Sequence, residues 1–363
     1  MSINRTIERA IRFLLLFQHD DGWWADFQLA PGPSNIWVTA YIGWVLAGQD
    51  HPQARDAAAL AWHWLSAQQS PGWGYNPLTP QDADSTLWAL QLAAAVGARG
   101  RGDGGTRGWG DSSEAGGEKV IPLNPTWYQT RVEQGYRFLQ QHRQPGGGVA
   151  TYAQDQEIRA FIGASPSVSF QGWCQPHVCV TAAAAGIDEL TADACEFLRA
   201  NQSADGCWHS YWWCEDEYAT SLAVLGLQKQ DHPEDRERID RAVQWGLTRI
   251  TAQGWVPSTL YRYGSPFATA WVISLLSTRK QLQVVRDAME RAWQWLKGQQ
   301  KPNGSWLGSA CLRVPPPDWR NPETYNRWKL GRKIEGGISL DQNSLFTTAT
   351  AIAALSHWKT QIG

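Results

Sequence analysis

Two carboxylates two residues apart, Asp82 and Asp84, stand between an aromatic turn (Gly72-Trp73-Gly74-Tyr75) and an apolar run that opens Ser85-Thr86-Leu87. One acid suffices to cap a helix. A second beside it in apolar surroundings holds its proton, because burial and a neighbouring anion both disfavour ionisation, although the helix dipole favours the anion. A buried, protonated carboxylic acid facing an apolar cavity is a proton donor to a weak base. Further carboxylates, Glu215-Asp216-Glu217 and Asp341, precede other apolar runs. They read either as helix caps or as partners for Asp84 in a two-carboxylate pair.

The same places are rich in aromatic rings. The chain has 23 Trp in 363 residues, and Trp23-Trp24, Trp173, Tyr211-Trp212-Trp213 and Tyr263 all fall just before apolar runs. A cavity lined by such rings suits an apolar ligand. It also suits a cationic intermediate, since each ring face attracts positive charge by ~0.5–2 kcal/mol. The other reading is structural, with each Trp plugging a gap between helices. Tyr75, Trp306 and Phe346 belong to the same set of candidate lining residues.

These residues sit in a repeated phrase: a helical run ending in Gln, a Gly-containing turn, then an aromatic. It reads Gln18 to Trp23, Gln69 to Trp73, Gln202 to Trp208, Gln253 to Trp255 and Gln300 to Trp306, with a degenerate copy at Gln141 to Gly148. A fixed period of this kind marks a repeat architecture. Amphipathic helices are expected before each phrase, over 5–18, 53–69, 131–142, 189–202, 236–251 and 285–300. Less charged helices, each with a Thr near its start, are expected after it, over 36–47, 84–97, 177–186, 217–228, 266–277 and 343–357. Helices apolar nearly all round must be buried on most sides. Six charged and six apolar helices in alternation predict an all-α fold, an (α/α)6 barrel forming one domain over 1–363, with the apolar helices as the inner ring and the Trp turns on its rim. Insertions near 100–124, 145–176 and 307–342 interrupt the period. The last two enter inner helices, so they are expected on the Trp rim, shaping a site.

A formal net charge of −2 excludes a global field for nucleic acid. No apolar run approaches the ~20 residues of a membrane-spanning helix. Residues 1–12 lack the layout of a signal peptide, and six cysteines in such a chain read as free thiols in a reducing compartment, so a cytoplasmic location is expected.

The constellation resembles the squalene–hopene cyclase group of class II terpene cyclases, which are helical barrels with Gln/Trp repeats. They protonate an isoprenoid alkene or epoxide from an Asp-x-Asp-Asp-Thr motif. Asp82-Ala83-Asp84-Ser85-Thr86 is similar to that motif, with Ser85 in place of the third Asp. The resemblance covers most of the chain but only the acid-bearing barrel of the family. It implies that Asp84 is the proton donor and Asp82 its neighbour. The family's Asp-Val-Thr-Ala-His segment, whose His supports the acid, reads Cys179-Val180-Thr181-Ala182-Ala183 here. That leaves His177, one turn earlier, or Cys179 to tune Asp84. Trp24, Trp173, Trp212, Trp213 and Tyr263 would fold an isoprenoid substrate and shield its cation. No metal or cofactor is implied, except Mg²⁺ if the head group is a diphosphate, which Arg313, Arg327, Lys329, Arg332 and Lys333 of the last insertion could clamp. Peripheral membrane contact is open, since the family draws lipid substrates from bilayers.

Other readings compete. An (α/α)6 glycoside-processing enzyme would pair Asp84 with Glu217 or Asp341. A non-catalytic barrel would bind a lipid or a protein. Protein prenyltransferases share the barrel and hold zinc through Asp, Cys and His. Asp205-Gly206-Cys207 matches their Asp-x-Cys pair, but the position of their His falls near Phe346. Cys174, His177 and Cys179 form a further cluster without a recognised zinc spacing.

Overall fold

The computed structural model describes residues 2–99, 125–331 and 335–360. The expected insertion at 100–124 lies outside them. The outer helices are α1 (Ile3–Leu16), α3 (Pro52–Ala67), α5 (Pro125–His142), α8 (Asp188–Ala200), α10 (Asp235–Arg249) and α12 (Gln283–Gln299). The inner helices are α2 (Ile36–Ala47), α4 (Ala83–Arg99), α7 (Val178–Ala184), α9 (Asp216–Gln230), α11 (Pro266–Ser277) and α13 (Leu345–Thr360). Each inner helix packs on the next, and α13 packs back on α2, closing the ring. This is the (α/α)6 barrel.

The two classes of helix separate by pattern. In α12 the buried residues are Val285, Ala288, Met289, Ala292, Trp293 and Leu296, one stripe at helical spacing. In α11 every residue from Pro266 to Ser277 is buried, and in α2 every residue but Trp44. Helix α11 starts sharply because Pro266 presets the first turn and the Ser265 hydroxyl accepts the Ala268 N–H at 3.1 Å.

The repeated phrase is a three-part joint. The indole N–H groups of Trp24, Trp73, Trp208 and Trp306 donate to the carbonyls of Leu14, Leu65, Leu198 and Leu296 at 2.7–2.8 Å. Each bond ties the turn to a carbonyl in the last turn of the preceding outer helix; those of Leu14, Leu65 and Leu198 also accept a backbone N–H, from Phe17, Gln68 and Asn201. The Thr near the start of each inner helix accepts a turn N–H. The pairs are Trp24 with Thr39, Trp73 with Thr86, Val149 with Thr181, Trp208 with Thr220, Val256 with Thr269 and Trp306 with Thr348. The Gln side chain reaches the next outer helix: Gln18 to Ala57, Gln69 to Arg131, Gln202 to Arg238, and Gln300 to Thr6, which joins the last pair to the first. Glycine is required in the turn. Gly206 has φ +99°, and a Cβ there would lie 2.7 Å from the Arg241 carbonyl oxygen.

This joint corrects the expected register in two copies. Trp24, not Trp23, is the structural Trp of the first repeat; Trp23 stacks on His19 at 4.3 Å, partly exposed. In the fifth copy Val256, not Trp255, takes the indole's place; the degenerate copy lacks the Trp as expected and uses Val149. The position requires a buried group after the Gly turn, which a Val meets without the indole bond.

The insertions add structure that periodicity does not show. Residues 145–176 contain the short helix α6 (Gln156–Ile162). Strand β1 (Asp26–Leu29) pairs with β2 (Gly32–Ser34), and β3 (Trp73–Gly74) with β4 (Gln81–Asp82). The last insertion forms a sheet in the order β5 (Cys311–Val314), β7 (Gly337–Leu340), β6 (Lys329–Leu330). It lies against β1 through Gln28 and Ser339, whose backbone N–H and hydroxyl bond at 2.9 Å. These strands are too short to show alternation, which is why the sequence reads as loop there.

Candidate active site

The β3–β4 pair places the acids. Asp82 sits opposite Trp73 and precedes α4. Its carboxylate accepts the Ser85 N–H and the Ser85 hydroxyl, both at 2.8 Å, and is buried. Ser85, standing where the motif has a third Asp, is therefore a hydrogen-bond donor to Asp82. Asp84 is the second residue of α4 and faces a cavity of about 330 Å³. The cavity is walled by Leu29 and Pro31, by Trp37, Tyr75 and Asp82, and by Thr151, Tyr152, Trp173 and Trp212. Ile158, Phe161 and Ile162 of α6 and Leu312 and Val314 of β5 complete it.

Burial raises the Asp84 pKa well above the ordinary carboxylate value, and the charge of Asp82 raises it further. The Trp37 indole opposes this: its N–H lies close enough to favour the anion, although no bond of normal geometry forms. Burial also pushes Asp82 up to about 7, against the Ser85 bonds that lower it. Asp84 is thus a carboxylic acid whose protonated form is favoured by its surroundings, with a polar group ready for the anion it becomes.

Aromatic residues hold the cavity in two layers. Trp37 packs on Phe346 at 4.9 Å and on Trp213 at 5.7 Å, and Trp213 on Phe346 at 5.3 Å, so Trp213 and Phe346 fill the barrel interior behind the cavity wall. Across the cavity, Trp212 packs 5.8 Å from Trp173, whose indole N–H donates to Pro315. Trp212 is fixed by a relay. Its N–H donates to the Thr151 hydroxyl at 2.7 Å, which bonds His177 Nδ1 at 2.7 Å, while His177 Nε2 bonds the Gly172 carbonyl at 2.8 Å. A carbonyl only accepts, so Nε2 carries the hydrogen and Nδ1 accepts from Thr151. Burial lowers His177 to about 3, which keeps this tautomer neutral.

The sequence-derived residues divide accordingly. Asp82, Asp84, Tyr75, Trp173 and Trp212 line the cavity. His177 does not bond Asp84; both its ring nitrogens are engaged in positioning Trp212. Cys179 is a buried thiol pushed up to about 11 chiefly by burial, with the Asp84 charge contributing. Trp24 and Trp306 are joint residues, and Tyr263 is exposed, 89% accessible, away from the cavity wall. Glu217 pairs with Arg249 at 2.7 Å. Asp341 accepts the backbone N–H groups of Ala310 at 3.0 Å and Thr347 at 2.8 Å, anchoring the last insertion to α13. Neither faces Asp84 across the cavity, so the two-carboxylate glycosidase arrangement is not assembled. Arg313 is buried and donates to the carbonyls of Tyr211 and Ser210, while Arg327 and Lys329 are exposed. Arg332 and Lys333 lie outside the described residues.

Sequence reasoning missed Trp37, Thr151, Tyr152 and the α6 and β5 residues. Trp37 is hidden in an apolar helix start. Tyr152 lies early in the insertion, far from the next inner helix, α7, so the rule that finds the other rim aromatics does not reach it.

The squalene-hopene cyclase C-terminal domain family matches residues 126–309. No curated protein sequence matches the chain. Among solved structures, a variant of the type II terpene cyclase MstE from Scytonema, in complex with its product merosterolic acid A, is 37% identical. That match covers 99% of this chain and 97% of the other, with a TM-score of 0.87. A second MstE variant, in complex with its substrate geranylgeranyl dihydroxybenzoate, matches equally, with 37% identity, 99% and 98% coverage and a TM-score of 0.87. A protein from Actinoplanes is 33% identical over 99% of this chain and 100% of that one, with a TM-score of 0.83. A GH105-like protein from Salmonella, at 13% identity, shares only the fold. The Gln/Trp joints, the acid at the head of α4 and these likenesses agree: the chain belongs to the class II terpene cyclases and is an acid-initiated cyclase of that family.

Proposed function

We propose that Asp84 starts the cyclisation of a linear isoprenoid tail by protonating its terminal alkene. The supporting observation is an acid held protonated by burial and by Asp82 in the wall of a mainly apolar, aromatic cavity. The Asp84 O–H bond breaks and a C–H bond forms at the alkene, leaving a tertiary cation and the Asp84 carboxylate. The next double bond attacks that cation, and the chain closes in turn. Loss of a proton from the last cation ends the reaction, so the product is an isomer of the substrate, and Asp84 regains its proton from solvent.

Trp37, Trp173 and Trp212 present ring faces to the migrating charge. The Trp37 N–H favours the new carboxylate, and closure by the α6 and β5 walls limits quenching by water. The described lining holds no arginine or lysine. That supports an isoprenoid whose head group is not a diphosphate, such as the prenylated hydroxybenzoate that MstE binds, and turnover without added Mg²⁺. The test is to offer geranylgeranyl dihydroxybenzoate and geranylgeranyl diphosphate, each with and without Mg²⁺. Cyclised isomers from the first substrate without metal are expected. Conversion of the diphosphate alone, dependent on Mg²⁺, overturns the head-group assignment.

A further inference from the structure

A second cavity, of about 430 Å³, opens on the rim beside the start of α9, away from Asp84. Asp205, Cys207, His209, Glu215 and Asp216 line it. Its donors are brought together by the fourth Gln/Trp joint. Trp208 turns inward to bond Leu198, and the residues on either side of it, Cys207 and His209, meet on the other face with Sγ 3.7 Å from Nδ1. Asp205 Oδ2 lies 3.6 Å from the same sulfur, and its other oxygen accepts the Cys207 N–H at 3.3 Å. Asp216 Oδ2 is 2.9 Å from His209 Nδ1 and Glu323 Oε1 is 3.0 Å from it, while the Ser210 N–H donates to Asp216 Oδ1 at 2.8 Å and orients it.

The distances among Asp205, Cys207 and His209 suit an ion. Tetrahedral zinc with bonds of ~2.3 Å to sulfur and ~2.0 Å to nitrogen or oxygen separates a sulfur from a neighbouring ligand atom by about 3.6 Å. The candidate ligand atoms of Asp205, Cys207 and His209 all lie within 4.8 Å of one another, as do those of His209, Asp216 and Glu323. The surroundings are short of positive charge. Arg249, in the same cavity wall, is committed to Glu217, and Arg313 is tied to carbonyls. Glu215, 2% exposed, and the Ser258 hydroxyl lie in the same wall, close enough for Ser258 to favour the Glu215 anion although no bond of normal geometry forms.

We infer that this rim cluster is a binding site for a divalent ion of the zinc class, held by Asp205, Cys207 and His209, with the fourth position open and Asp216 bonded to His209 beside it. The mixed sulfur, nitrogen and oxygen donors select such an ion over Mg²⁺ or Ca²⁺, which take oxygen ligands. Asp205, Cys207 and His209 belong to one turn and Asp216 to α9. Glu323, from the last insertion, lies against His209 and joins the site to the segment that supplies Leu312 and Val314 to the Asp84 cavity. The ion would fasten that segment to the barrel without touching the acid.

The test uses the full-length protein, stripped with a chelator and then loaded with Zn²⁺ or Co²⁺ alone. One equivalent of metal per chain is expected to survive gel filtration. The cobalt form should show the intense visible bands of a tetrahedral site and a thiolate charge-transfer band. Cys207→Ser should remove the charge-transfer band. His209→Ala and Asp205→Asn should each weaken zinc at least about 100-fold, the upper range for losing even a supporting group. Zinc should raise the Tm of the wild type and not that of the variants. Failure to retain an equivalent, retention unchanged in the variants, or a cobalt spectrum without the thiolate band overturns the site. None of these readouts depends on cyclase turnover.

Discussion

Asp84 and Asp82 divide one task. Asp82 is fixed by Ser85 and supplies charge; Asp84 has no such anchor and faces the cavity. Asp84→Asn keeps the shape and loses the proton, so turnover should fall by at least the ~10²–10⁴ typical of a general acid, with an unchanged melting curve. The pH dependence follows from the raised Asp84 pKa. The active form is protonated, so the rate should be flat at low pH and fall as pH rises through that pKa. Asp82→Asn removes the anion that raises it, so the falling limb should move to lower pH in a kcat/KM profile. An unmoved limb would separate the two residues. Stability has its own sign. Asp82 is raised from 3.8 to about 7 in the folded state, so its contribution is fully present below pH ~4 and is lost as pH rises toward 7, by about 1.4 kcal/mol per pH unit. Denaturant midpoints of the wild type should lose that portion over this window, and those of Asp82→Asn should not.

At the level of elements, the Gln/Trp joint was legible in sequence and the identity of its Trp was not. Spacing alone placed Trp23 and Trp24 together on the rim, but only the hydrogen bond to Leu14 shows which one the joint uses. Trp73→Phe removes the indole bond to Leu65 from a buried site while the Gln68 N–H still meets that carbonyl, and should cost about 0.5–1.5 kcal/mol for the lost bond. Trp23→Phe, on a half-exposed ring, should stay within about 0.5 kcal/mol. Equal losses in thermal melts would deny the joint its role. Thr151 connects His177 to Trp212 and nothing in the sequence marks it, because the link runs between an insertion and two rim turns. Thr151→Val should free Trp212. The expected reading is a changed product distribution at nearly constant substrate affinity, whereas a pure loss of stability would make the relay structural only.

Over the whole molecule, alternation of charged and apolar helices was enough to read the ring, because a helix buried all round has few other places to go. The site was half legible. Its acids and Tyr75, Trp173 and Trp212 stand in phrases that periodicity brings to one rim. Its other wall comes from α6 and β5, whose short elements carry no period, and from Trp37, whose apolar neighbours conceal it. Glu217, Asp341 and Tyr263 occupy similar sequence positions but serve an ion pair, an anchor and the surface. Ring closure also has a chemical seam: Gln300 joins α12 to α1 through Thr6 and spans the turn to Gly304. Gln300→Ala should destabilise the protein more than Gln294→Ala on the exposed face of α12, by roughly 1–3 kcal/mol for three lost bonds, the third accepted from Arg9.

The most direct test of proton-initiated cyclisation is turnover of geranylgeranyl dihydroxybenzoate in D₂O, with mass-spectrometric analysis of the wild type and Asp84→Asn. A cyclised product carrying one deuterium at the carbon first protonated, formed by the wild type and not by the variant, is the predicted result. Product from Asp84→Asn at the wild-type rate, or a cyclised product without deuterium, would contradict it.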